Sequence, residues 1–185
     1  DVSQRGYVGD CQPGYGCADG GDTWASASGA RQFSGGSHGG LGGGASPGYT
    51  YGDPRAPTKL GAGGGYGNGG GEPGGSGGGR VKLTAAELVL DGSVLARGGA
   101  FDQANRNGGG GAGGSVWLTV SALSGGGAID ASGGDGLVDA GAGGGGGRVA
   151  IVWEGDTTFD VDAIEVHGGA SVQAPGGPGT LYLDS

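Results

Sequence analysis

Four short alternating segments, each preceded by a run of glycines, recur through the second half of the chain at nearly constant spacing. RVKLTA begins at Arg80, SVWLTV at Ser115, RVAIVW at Arg148 and TLYLDS at Thr180, at offsets of 35, 33 and 32 residues. Apolar–polar alternation over this length marks β-strands. Overlaid, they match Val81/Leu83, Val116/Leu118, Val149/Ile151 and Leu181/Leu183. A second set superposes without gaps: GSVLARGG (92–99), GAIDASGG (127–134) and DAIEVHGG (162–169). It matches Val94, Ile129 and Ile164, then Ala96, Ala131 and Val166. A third set is looser: Leu88/Leu90, Leu123 and Phe159/Val161. One such unit cannot bury its own apolar face, whereas stacked units can, with strands about 4.8 Å apart. The pattern predicts an all-β fold, a glycine-rich parallel β-solenoid or β-helix of about three to four rungs. The rungs are expected at about 80–114, 115–147, 148–179 and 180–185.

Glycine sharpens the question. It supplies 56 of the 185 residues, against an average of roughly 7%. Collagen needs a strict Gly-X-Y period and much proline, but here there are 7 prolines and runs such as GAGGGGG at 141–147. A flexible linker would lack the aligned apolar pattern. Glycine loses more backbone entropy on ordering than any other residue, so an ordered glycine-rich fold must be dense in backbone hydrogen bonds or in close backbone contacts. In a solenoid, the runs at 107–114, 140–147 and 175–179 read as corners and close-packed connections. Side-by-side polyglycine II-like helices are the other ordered option, and the sequence does not separate the two. Residues 1–79 are rich in turn formers and are expected to pack on the repeats as an irregular glycine-rich cap, within one domain over 1–185.

A net charge of −9 argues against nucleic acid and anionic membranes as partners. No stretch approaches the 18 apolar residues of a membrane span. The chain holds no methionine, so its start at Asp1 is expected to be a processed or excised end, as removal of a secretory signal would leave. Its two cysteines, Cys11 and Cys17, lie in CQPGYGC. That spacing favours a small disulfide loop over a metal site, which wants four ligands. A disulfide implies an oxidising compartment, so the expected location is extracellular or at the cell surface.

The order of landmarks adds a resemblance. RGYVGD (5–10), GGSHGGLGGG (35–44), YGDPRAPTKLGAGGG (51–65) and strand repeats fed by GGGGGR (143–148) resemble a family of glycine-rich modules in large secreted or surface proteins of bacteria and some eukaryotes. The likeness spans about residues 5–153, and SHGG followed by YGDPRAPT is its most specific part. It implies an extracellular, β-solenoid module and brings no catalytic residues with it.

Several residues invite chemistry. His38, alone among glycines, could ligate a metal with Asp53 or Asp22; the simpler reading is a structural histidine bonded to the surrounding backbone. With Val94, Ile129 and Ile164 facing inward, Leu95, Asp130 and Glu165 form an outward row, and Arg97, Ser132 and His167 form the next. Stacked carboxylates can act as acid and base on a glycoside or hold calcium; as a solvated charged face they do neither. Lys82, Trp117, Ala150 and Tyr182 form an outward row on which a sugar could stack, unless the N-terminal half covers it. Thr84 and Thr119 hint at an ice-binding ladder, which fails at Val152 and Asp184. GGDGLVDAG (133–141) approaches the calcium nonapeptide, with its aspartate one position late. No P-loop ending and no nucleophile elbow is present. The expected function is therefore non-enzymatic: an extracellular structural subunit of a surface appendage, fibre or matrix, with no required cofactor. Copies are expected to stack end to end through Thr180, Leu181, Tyr182 and Leu183. The alternative is a module that binds or degrades polysaccharide through Asp130, Glu165, His167 and Trp117, with ice binding behind it.

Overall fold

A computed structural model describes residues 1–9, 16–18, 29–67, 73–101, 107–136, 141–155 and 157–185. Its strands are β1 (Arg80–Val89), β2 (Ser93–Leu95), β3 (Ser115–Ser124), β4 (Ala128–Asp130), β5 (Arg148–Trp153), β6 (Ile164–Glu165) and β7 (Thr180–Asp184), with one 3-10 turn at Val161–Ala163. They form two parallel sheets, β1-β3-β5-β7 and β2-β4-β6. The register is that of the aligned repeats. Arg80 pairs with Ser115, Ser115 with Arg148 and Arg148 with Thr180. Val94, Ile129 and Ile164 pair across the second sheet. Because side chains alternate along a strand, this register sends one apolar set inward from each sheet. Val116, Leu118, Val149 and Ile151 join Ile129, Ala131 and Ile164 in one core, where most of them are fully buried.

The fold departs from the expected β-solenoid. The two sheets are open; neither curls nor closes, and no rungs are shown among the described residues. The reason lies in the glycine runs, which do not turn corners. Among described glycines, positive φ occurs at Gly44, Gly48, Gly52, Gly125 and Gly155, and at none in the runs before β1, β3, β5 and β7. Those runs instead extend the strand order as a hydrogen-bonded lattice. Gly75 and Gly78 donate to the carbonyls of Gly109 and Ala112. Gly110 and Gly113 donate to Ala142 and Gly145, and Gly143 and Gly146 donate to Ala174 and Gly177.

The remaining amides point elsewhere, with a period of three. In the run before β3, Gly109 and Ala112 donate to Gly65 and Ala62, while Gly111 and Gly114 donate to Gly99 and Ala96. In the run before β5, Ala142 and Gly145 donate to Phe33 and Gly36, while Gly144 and Gly147 donate to Gly134 and Ala131. Successive donors thus rotate through three neighbouring chains and leave their own run each time. Three residues per turn without internal hydrogen bonds is the polyproline II habit, here adopted by glycine so that backbones touch. A Cβ on Gly113 would strike the Ala131 carbonyl oxygen, and one on Gly110 the Gly134 carbonyl oxygen. Glycine is required at these positions for close approach.

Described parts of the N-terminal half belong to this lattice. Its segments 33–36 and 61–67 supply one set of neighbours to the runs before β3 and β5. Val2 donates to Leu95 as Ala96 does to Asp130 and Ala131 does to Glu165. Val2 also accepts from Gly79 as Ala96 accepts from Gly114 and Ala131 from Gly147. Val2 to Gln4 therefore stand as a further member of the β2-β4-β6 set, beside β2.

Candidate functional site

The outward row on β4 and β6 places Asp130 opposite Glu165 on neighbouring strands. Asp130 is occupied: its Oδ2 lies 3.2 Å from Arg97 Nε, and its Oδ1 accepts from the Ser132 amide at 2.9 Å and from the Ser132 hydroxyl. It caps the turn into the following glycine run. Glu165 and His167 are exposed. An acid–base pair needs two carboxyls free to meet one substrate; here one is committed to structure. Arg97 is half-exposed, so this ion pair contributes no more than about 1 kcal/mol.

The second row follows the sheet register Lys82, Trp117, Ala150, Tyr182. Lys82 Nζ sits 3.8 Å from the Trp117 ring centroid, a cation–π contact that occupies the ring. Trp117 Nε1 is buried with no hydrogen-bond partner among the described residues. Ala150 is fully buried. Arg55 stacks on Tyr182 at 5.5 Å, and the Tyr182 hydroxyl donates to Asp184 at 2.9 Å. That hydrogen bond is the main cause raising the Tyr182 pKa above its ordinary value. The segment 51–59 lies along the sheet: Arg80 Nη1 donates to Thr58 O at 2.8 Å, Ser115 Oγ to Lys59 O at 2.6 Å and Arg148 Nε to Tyr51 O at 2.8 Å. Thr84 faces Thr119, and the row then continues to Val152 and Asp184.

His38 is fully buried. Its Nδ1 stands 2.8 Å from Gly113 O, and a carbonyl only accepts, so Nδ1 carries the proton. The ring tilts against Tyr51, with centroids 5.0 Å apart. Beside it lies a residue that sequence reasoning passed over as a mere strand start. Arg148 is 6% exposed and bonds three segments at once: Tyr51 O through Nε, Thr180 Oγ1 through Nη1 at 3.0 Å and His38 O through Nη2 at 3.4 Å. Burial pushes its pKa below the usual value, while Asp53 and Tyr51 act in the opposite direction. The available signal was positional: an arginine at an inner strand start, where its two neighbours in the sheet carry Ser115 and Thr180.

Among the described residues, no three His, Cys, Asp or Glu side chains converge as a metal site. Asp22 lies outside them, as do residues 137–140 of GGDGLVDAG; in the remainder of that stretch, Asp135 accepts from the Ala170 amide at 2.7 Å. Cys17 is disulfide-bonded, and Cys11 lies outside the described residues. In β7, Leu181 and Leu183 are exposed, although they continue the inward ladder of Val149 and Ile151. No helix among the described residues is long and apolar enough to cross a membrane. No protein-family profile matches the chain, and no curated protein or solved structure matches it.

Proposed function

We propose that this chain is a non-enzymatic structural module of an extracellular appendage, fibre or matrix. One observation carries the reading: three polar side chains that could do chemistry are spent on holding the fold together. Asp130 fastens the turn after β4, His38 holds Gly113, and Arg148 ties Tyr51, His38 and Thr180 together. What these bonds stabilise is a slab of mutually hydrogen-bonded glycine chains, stiff because each run is held from three directions. The disulfide-bonded Cys17 supports an oxidising compartment, and the likeness to glycine-rich modules of secreted and surface proteins supports the same location. End-to-end stacking through Thr180, Leu181, Tyr182 and Leu183 is not part of this reading, because the face through which copies would join carries Pro175 and Pro178.

Immunogold labelling of the producing cells, with an antibody raised against the folded module, tests the proposal. Label on extracellular fibres or matrix is expected; label confined to the cytoplasm would refute it. Glycan-array binding that is lost in Trp117→Ala or Asp130→Asn would replace it with the polysaccharide reading.

A further inference from the structure

The lattice has a built-in stop. Between successive glycine runs, the donors that reach the next run stand at equivalent positions: Gly75 and Gly78, Gly110 and Gly113, Gly143 and Gly146. The strand register that pairs Arg148 with Thr180 places Pro175 and Pro178 at these positions in the last run. Proline has no amide hydrogen. At both places where the lattice would offer an N–H to a further chain, the donor is missing.

Shape closes the same face. A Cβ on Gly78, Gly113 or Gly146 would strike the carbonyl oxygen of Ala96, Ala131 or Val166. Interior positions must therefore be glycine. Pro175 and Pro178 are both exposed, so their rings are tolerated there. In a second copy docked in lattice register, Val2 would occupy the place that Ala96, Ala131 and Val166 hold in the interior, since it accepts from Gly79 as they accept from Gly114, Gly147 and Gly179. The Pro178 ring would meet that Val2 carbonyl.

We infer that Pro175 and Pro178 terminate the glycine slab, closing the face beyond β7 to a second copy of this chain and keeping the module a discrete unit. Edge strands are commonly guarded by proline; here the guarded edge is a polyglycine one. The exposed Leu181 and Leu183 do not reopen it, because a copy that extends β7 in register brings its Val2 carbonyl onto Pro178.

Sedimentation equilibrium over a wide concentration range tests this with three proteins: the wild type, Pro175→Ala/Pro178→Ala and Pro175→Gly/Pro178→Gly. Alanine restores the donors but keeps a Cβ; glycine restores the donors and removes the obstruction. The new donors would reach Gly74 and Gly77 of the second copy; Gly77 O already accepts from Gly6 and retains a second lone pair. The wild type and the alanine variant are expected to remain at 17.3 kDa. The glycine variant is expected to at least double its weight-average mass at the highest concentration. Circular dichroism confirms that each variant is folded, and Pro178→Gly alone serves if the double variant is not. Filaments or oligomers of the wild type would overturn the inference, as would a folded glycine variant that remains at the wild-type mass.

Discussion

The sheets and the glycine slab solve one problem by opposite means. In the sheets, Val116, Leu118, Val149 and Ile151 drive association by burying apolar surface, and the backbone pairs as a consequence. In the slab there is almost no side chain to bury. Each amide gains only about 0.5–1.5 kcal/mol net from its hydrogen bond, while each glycine costs roughly 1 kcal/mol more to order than alanine. The slab is stable only because every chain is bonded on three sides and because it is welded to the sheets through shared register. A core tolerates approximate shapes, whereas the slab tolerates no added Cβ where its backbones touch.

Matched substitutions can break that contrast. The largest effect is expected from Gly113→Ala, whose new methyl would strike the Ala131 carbonyl and the Gly147 amide. A loss above about 4 kcal/mol, read by chemical denaturation, would place it among the rare severe substitutions. Next comes Ile151→Ala in the fully buried ladder, expected to cost about 2–5 kcal/mol. Arg148→Met keeps much of the bulk but strands the acceptors at Tyr51, His38 and Thr180; about 1–3 kcal/mol is expected from the same assay. Arg97→Ala removes a half-exposed ion pair and should shift stability by less than about 1 kcal/mol. Gly126→Ala completes the set, because a Cβ there meets nothing within 4 Å; it should be neutral or stabilising by a few tenths of a kcal/mol, roughly. Equal effects at Gly113 and Gly126 would show that close approach does not govern the slab.

The strands and their pairing were legible in the sequence because side chains carry that pattern. Val81, Val116, Val149 and Leu181 align on paper as they do across the sheet. The winding of the chain was not legible. A repeat length and an inward apolar set are shared by a solenoid and by two open sheets; the difference lies in whether Gly108 to Gly114 turn or extend, and glycine permits both. The part played by segments 33–36 and 61–67 was hidden for the same reason. Ala62, Gly65 and Gly36 contribute carbonyls to the slab, and carbonyls leave no trace in a sequence. Of the candidate residues, register alone brought Asp130 beside Glu165 and Lys82 beside Trp117. That Asp130 is held by Arg97 and Ser132 depends on rotamers that no repeat specifies.

Amide hydrogen exchange followed residue by residue by NMR tests the central claim most directly. If the glycine runs are an ordered lattice, the amides of Gly109 to Gly114 and Ala142 to Gly147 exchange as slowly as those of β3 and β5, through the same global unfolding. Exchange of these glycines at the rate of an unstructured chain, beside protected strands, would contradict it.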